Sequence, residues 1–252
     1  EAGAGISDTA AGDPYTVAAS RLPAVNSIMM LAAHVSRHRI FTEWLDPSIT
    51  DESQPHLRDA QLNLYDAANP NQPPYSADFL EHFAQAQVAR NRRITAWVKE
   101  KLAAIRASDS PWSEFAFTVH GTMADPRWLD PSIEPSDRKA GSCYLGDPKI
   151  VNDGPVGLAR FCTLRSWLSQ WSYDDARCDA IASGSRISVP VLVIGNSADD
   201  ACTPSHTQRL YDAVTHVQKH LHVVKGATHY YTGANGAEHM AEACGVIENF
   251  LA

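Results

Sequence analysis

Several large classes of protein are excluded by what this chain lacks. It has no CxxC pair, and its five cysteines (Cys143, Cys162, Cys178, Cys202 and Cys244) are odd in number and far apart. Such spacing gives neither a zinc-ribbon ligand set nor a disulfide framework, so they read as thiols in a reducing compartment, and the expected location is cytoplasmic. No apolar run approaches the ~20 residues of a membrane-spanning helix, so no membrane span is expected. There is no long basic run, and 21 Lys and Arg against 29 Asp and Glu leave a net charge of −8. A surface for nucleic acid or anionic lipid is therefore not expected either. The opening Glu1-Ala-Gly-Ala-Gly-Ile-Ser-Asp8 has neither a positive n-region nor an apolar h-region, and no signal peptide is read there.

What remains is an ordinary globular composition, 44% hydrophobic and 20% charged, over 252 residues, enough for a sizeable core. Three textures follow one another. Residues 1–34 read as a polar linker running into a first core strand, Ser27-Ile-Met-Met-Leu-Ala-Ala-His34, apolar enough to be buried on both faces. Residues 35–186 are rich in Trp, Pro, Asp and Arg and show helical patterns but no clean strand pair. Ser76 is a plausible N-cap for a helical stretch to about Ala107, either one helix with an exposed waist at Arg90, Arg92 and Arg93 or two helices. Ser110-Pro111 reads as a further helix start. Leu158, Phe161, Leu164, Leu168 and Trp171 step by three or four, as one face of another helix. Trp44-Leu-Asp-Pro-Ser-Ile49 returns as Trp128-Leu-Asp-Pro-Ser-Ile133, each copy read as an Asp-Pro-Ser turn that pins a Trp-Leu pair.

Residues 187–252 carry the clearest pattern: a buried strand at Val189–Ile194, a helix opening at Thr203-Pro204, a strand at His220–Val224, and a last helix bearing Met240, Cys244, Ile247 and Leu251. Strand, helix, strand, helix with short connections predicts a parallel α/β sheet. In such sheets the loops at strand C-termini collect functional groups. One of those loops holds Asp199 and Asp200, and the next holds His229 behind Gly226-Ala-Thr. A carboxylate on one imidazole nitrogen fixes the tautomer and leaves the other nitrogen as a base.

Val189-Pro-Val-Leu-Val-Ile194, the following Ser-Ala-Asp199 with Pro204 five residues on, and Val223-Val-Lys-Gly-Ala-Thr-His229 resemble the α/β-hydrolase superfamily. The resemblance implies the C-terminal part of an α/β-hydrolase parallel sheet with an inserted, mainly helical lid over 35–186. It makes Asp199 and His229 the acid and base of a serine esterase or lipase-like triad. Asp200 is the nearest rival to Asp199, but the spacing to Pro204 favours Asp199 and leaves Asp200 to face solvent or cap the turn. His34, Trp44 and Tyr230 are the candidate substrate contacts; a buried hydrogen-bonded histidine is an equally open reading of His34, and the plain reading of Trp44 is core.

The family's Gly-x-Ser-x-Gly nucleophile elbow is missing from this sequence. Gly195-Asn-Ser197-Ala-Asp199 is a decoy that leaves too little chain for an acid, a base and further strands. Only three parallel strands are found, and strands buried on both faces need neighbours. The expectation is therefore a C-terminal portion whose nucleophile lies in an N-terminal hydrolase segment or separate chain. Residues 1–23 would then be the intervening loop, and the substrate a small apolar ester. No cofactor is expected. His220 and His222 share one face of a strand without an acid close in sequence, so no metal is expected either. A non-hydrolytic enzyme on the same fold, or a non-catalytic binding chain, remains open as an alternative.

Overall fold

A computed structural model describes residues 6–15, 22–109 and 111–252. Ser110 of the helix start read at Ser110-Pro111 lies outside the described residues, as does much of the stretch 1–23, and from Pro111 the chain forms no helix before the strand at Ala116–Thr118. In chain order the elements are β1 (Ile28–Leu31), α1 (Arg37–Trp44), α2 (Ala77–Ala107), β2 (Ala116–Thr118), α3 (Pro126–Leu129), α4 (Pro148–Asp153), β3 (Phe161–Thr163), α5 (Leu164–Ser166), a π-helical turn at Trp167–Trp171, α6 (Ala180–Gly184), β4 (Val191–Asn196), α7 (Pro204–Ala213), β5 (Lys219–Val224) and α8 (Gly236–Leu251). Among the described residues no helix is long and apolar enough to cross a membrane. The chain divides into two compact units: Glu1–Pro23, Arg37–Pro126 and Lys149–Cys178 form one, and Ala24–Ser36, Arg127–Pro148 and Asp179–Ala252 the other.

The second unit is a mixed α/β body built on a parallel sheet of order β1-β4-β5. β4 is buried at all six positions, as its continuous apolar sequence predicts for a central strand. It pairs in register with β1 from Ile28↔Val191 to Leu31↔Ile194 and with β5 from Val191↔Lys219 to Asn196↔Val224. α7 lies against one face and approaches closely enough that a Cβ on Gly195 would sit 2.5 Å from the Thr207 hydroxyl oxygen. On the other face Leu192, Ile194, Val224 and Ala227 pack with Ala243, Val246, Ile247 and Phe250 of α8. β1 differs from the expectation of burial on both faces. Met29 and Leu31, which pair with Leu192 and Ile194 and so share the α8 face, are 38% and 40% exposed.

The first unit is mainly helical. Its core joins Phe41 and Leu45 of α1, Ile94, Val98 and Leu102 of α2, Val119, Cys162, Leu164, Trp167, Leu168 and Trp171. α2 is one continuous helix of 31 residues, capped where the Ser76 side chain accepts from the Phe79 amide. Two readings of this region are corrected. The three arginines are not one solvated face, because Arg90 is only 1% exposed. Its guanidinium donates to both Glu52 carboxylate oxygens and to the carbonyls of Asp46, His120 and Gly121, which is how a buried cation is held. Nor is 158–171 a single helix: Phe161–Thr163 form β3, which pairs antiparallel with β2. Leu164, Leu168 and Trp171 turn inward along α5 and the π turn, but Phe161 is exposed and Cys162 is the buried residue of β3. The same pairing supplies a strand pair where the pattern of 35–186 suggested none.

Both copies of the repeated hexapeptide make the same turn. Asp46 Oδ1 accepts from the Ser48 amide at 3.0 Å and hydroxyl at 2.6 Å, and Asp130 Oδ1 accepts from the Ser132 amide at 2.9 Å and hydroxyl at 2.6 Å. Trp44 and Trp128 are both buried.

Candidate active site

Parallel pairing puts the C-terminal ends of β4 and β5 on one edge of the second unit, and the two loops that leave them are laced together. Ser197 donates its amide to the Val224 carbonyl, Ala198 donates to Ala227, and the Asn196 side chain donates to the Thr228 carbonyl. The Gly226 amide donates to Ser197 Oγ, from a backbone conformation (φ +75°) that favours glycine. Asp199 and His229 ride on these coupled loops.

Asp199 is wholly buried. Its Oδ1 accepts from the Ala201 and Cys202 amides at 2.8 and 2.7 Å, and its Oδ2 lies 2.9 Å from His229 Nδ1. An ionised carboxylate only accepts, so the proton in that bond sits on Nδ1 and the Nε2 lone pair is free to act as a base. Nε2 takes part in no hydrogen bond among the described residues, and the imidazole keeps a partly open face. A carboxylate without solvent survives in such a place because two amides and an imidazole satisfy it.

Asp200 follows a different course from the solvent-facing residue read in the sequence. Burial, then the adjacent Asp199 charge, push its carboxyl up to about 6. Its carbonyl accepts from Trp128 Nε1 at 2.7 Å. Ser197, the decoy nucleophile, donates its hydroxyl to Asp137 Oδ2 at 2.5 Å and so is committed away from His229.

The candidate contacts of the sequence reading divide. His34 comes close: its ring centroid is 6.2 Å from that of His229, and its Nδ1 lies 3.1 Å from Cys202 Sγ. Tyr230 packs edge-on to His229 at 4.6 Å and is 59% exposed. Trp44 belongs to the first unit, where it is part of the buried core. Sequence reasoning missed Tyr144, whose ring stands 6.0 Å from His229 and 6.1 Å from Tyr230. Burial, then Tyr230, push its phenol well above the usual range, so it stays a neutral hydroxyl. The segment bearing Tyr144 is tied to the acid loop by the Trp128–Asp200 bond, by Glu134 accepting from the Ser205 amide, and by the Asp137 amide donating to the Ser197 carbonyl. The second hexapeptide copy, with its buried Trp, was the signal that could have placed it there.

Cys202 invites two readings that its surroundings oppose. Beside His34 it resembles a thiol–imidazole pair, yet it is fully buried, and burial with the Asp199 charge pushes its thiol far up, the reverse of what a nucleophile needs. Donor atoms of Asp199, Cys202 and His229 also lie within 4.8 Å of one another, as metal ligands would. Both Asp199 oxygens, however, are already taken by amides and imidazole. Elsewhere His222 Nε2 meets Glu242 Oε1 at 2.7 Å, an acid supplied by α8 rather than by nearby sequence, while His220 packs on Phe250.

No family model matches this sequence, and no curated protein matches it. Among solved structures it is similar to a monoacylglycerol lipase of Paleococcus ferrophilus, at 20% identity and a TM-score of 0.31 over 60% of this chain. The chain spans about half the length of that structure, matching 51% of it.

Proposed function

We propose that this chain contributes the acid and base of a serine-type hydrolase that cleaves a carboxylic ester or related acyl bond. One observation carries the reading: the buried Asp199 carboxylate 2.9 Å from His229 Nδ1, with Nε2 free, on loops after adjacent parallel strands. In this reading a hydroxyl nucleophile attacks the ester carbonyl while Nε2 takes its proton, and Asp199 stabilises the imidazolium. The imidazolium returns that proton to the departing alkoxide, leaving an acyl-enzyme. Water then attacks, His229 again removes the proton, and the acid is released with the hydroxyl restored.

The nucleophile is assigned to a segment or chain outside these residues that carries a Gly-x-Ser-x-Gly elbow. Two features support this: Ser197 and Cys202 are both unsuited to the role, and β1 ends the sheet with Met29 and Leu31 exposed on its apolar face. A further strand would pair the free edge of β1, and the helix of its crossover would cover both side chains. Tyr144, Tyr230 and His34 would wall the pocket for a small apolar ester, with no cofactor. Five free cysteines suit a reducing, cytoplasmic setting.

The test uses protein purified from its native source, p-nitrophenyl esters and a fluorophosphonate label. The expected result is ester turnover, a label on a polypeptide region other than this one, and loss of roughly 10³-fold or more in rate for His229→Ala. Full activity of this chain alone, with the label on it, would overturn the external nucleophile. Absence of any ester turnover from the native preparation would overturn the hydrolase.

A further inference from the structure

The first unit holds a cleft of about 760 Å³ that plays no part in the reading above, bounded by the loop 50–53, one face of α2 and β2. Its size is that of a ligand site rather than a packing fault. Its wall is aromatic: Trp97 of α2 packs edge-on to Phe117 at 5.1 Å and to Phe115 at 6.2 Å, and Trp97 and Phe115 are 42% and 37% exposed. Lys101 Nζ stands 4.9 Å over the Phe115 ring at one end.

The strand beside that wall has an open edge whose direction can be worked out. Leu164 donates its amide to the Phe115 carbonyl, and Val119 donates its amide to the Arg160 carbonyl. With Phe117 opposite Cys162, the odd-numbered residues of this strand therefore turn their backbone groups toward β3. Ala116 and Thr118 turn theirs the other way, and both residues are exposed and line the cleft. The two acids beside the cleft are engaged, and its nearest cation, Lys101, lies over the Phe115 ring at the end of the wall. Glu52 accepts from both Arg90 and Arg93, and Asp51 accepts from the Ser53 amide and hydroxyl. A charged group laid against Trp97, Phe115 and Phe117 would give up its hydration to an apolar wall, which is costly.

We infer that this cleft binds an extended, uncharged, apolar peptide segment, which adds as a strand to the free edge of β2 and lays alternate side chains against Trp97, Phe115 and Phe117. Backbone pairing at Ala116 and Thr118 gives affinity, and the aromatic wall selects apolar side chains at every second position.

The experiment follows fluorescence anisotropy of a labelled pentapeptide, Ser-Val-Phe-Val-Ser with both ends blocked, titrated with the whole chain. Two analogues are N-methylated on alternate residues, one at the odd positions and one at the even. Because only alternate amides of an added strand face β2, one analogue is expected to bind about tenfold weaker and the other like the parent. Thr118→Pro, which removes an outward N–H and leaves the pairing with β3 untouched, is expected to weaken the parent peptide by a similar factor. The inference is overturned if the parent peptide does not saturate, if both analogues bind alike, or if an apolar dye without amides competes for the cleft and the analogues do not differ. The peptide comparison uses the unaltered protein, so it decides the matter even if the proline variant fails to fold.

Discussion

Asp199→Asn exchanges one oxygen for an NH2 and should move a proton on the neighbouring ring. In the native site the carboxylate accepts three bonds, two from the Ala201 and Cys202 amides and one from His229 Nδ1. An asparagine oxygen can keep both amides, but its NH2 then meets Nδ1–H, donor against donor. The arrangement relaxes if the imidazole carries its proton on Nε2 and accepts at Nδ1. Three charge-assisted bonds become neutral ones, each weaker by about 1 kcal/mol, so the total cost is about 3 kcal/mol. For a chain of this size that lowers the melting midpoint by roughly 6–12 °C. Nitrogen chemical shifts of ¹⁵N-labelled histidine, read at alkaline pH where imidazole is neutral, report the tautomer on this chain without any catalysis. The wild type should show Nδ1–H at His229 and the variant Nε2–H. In an active preparation the same variant should lose about 10⁴-fold in rate, as expected when a triad histidine holds the wrong tautomer. An Nε2–H tautomer in the wild type, or the same tautomer in both proteins, would refute the reasoning.

Further expectations follow from the same structure. Asp200 has a raised carboxyl, about 6 against 3.8, so its folded form favours the proton. The penalty it imposes is absent below the lower value and fully present above the higher one, so Asp200→Asn should raise the midpoint more at pH 8 than at pH 4 in thermal melts. Gly195→Ala should place a methyl 2.5 Å from Thr207 Oγ1 and 2.6 Å from its Cγ2 and cost about 1–3 kcal/mol by urea unfolding, while Thr207→Ser made with it removes Cγ2 and should recover part of that loss. Arg90→Met should leave Glu52 with Arg93 alone and take the donor from the Asp46 and His120 carbonyls; a loss of about 2–4 kcal/mol is expected, and a smaller one for the double variant that also replaces Glu52 by Gln.

The parts legible in the sequence are those where local pattern and tertiary role coincide. β4 opens on an apolar run, Val191–Ile194, and is buried at every position, and Ser76 reads as an N-cap and accepts the Phe79 amide as one. Asp199 and His229 could be paired because a parallel crossover brings loops after adjacent strands to one edge. Illegible parts depended on distant chain. Arg90 looks like its neighbours Arg92 and Arg93 until Glu52 and three carbonyls are folded around it. Phe161-Cys-Thr163 is too short to outvote a helix-like spacing, and only pairing with β2 makes it a strand. Tyr144 has no motif of its own and reaches His229 because Trp128, Glu134 and Asp137 anchor its segment. The open face of β1 could not be seen either, since Met29 and Leu31 are as apolar as the buried residues opposite them.

The twice-used hexapeptide has a consequence for how the chain folds. Around Trp44 its surroundings are a helical core, and around Trp128 they are the sheet-bearing unit, yet in both the aspartate closes the same ring onto the serine two residues on. A shape that is indifferent to its setting is written in the six residues themselves, so it is available to the chain before either core exists. Each copy carries a buried tryptophan two residues ahead of that ring. The phrase works as a portable corner that two unlike pieces of architecture share.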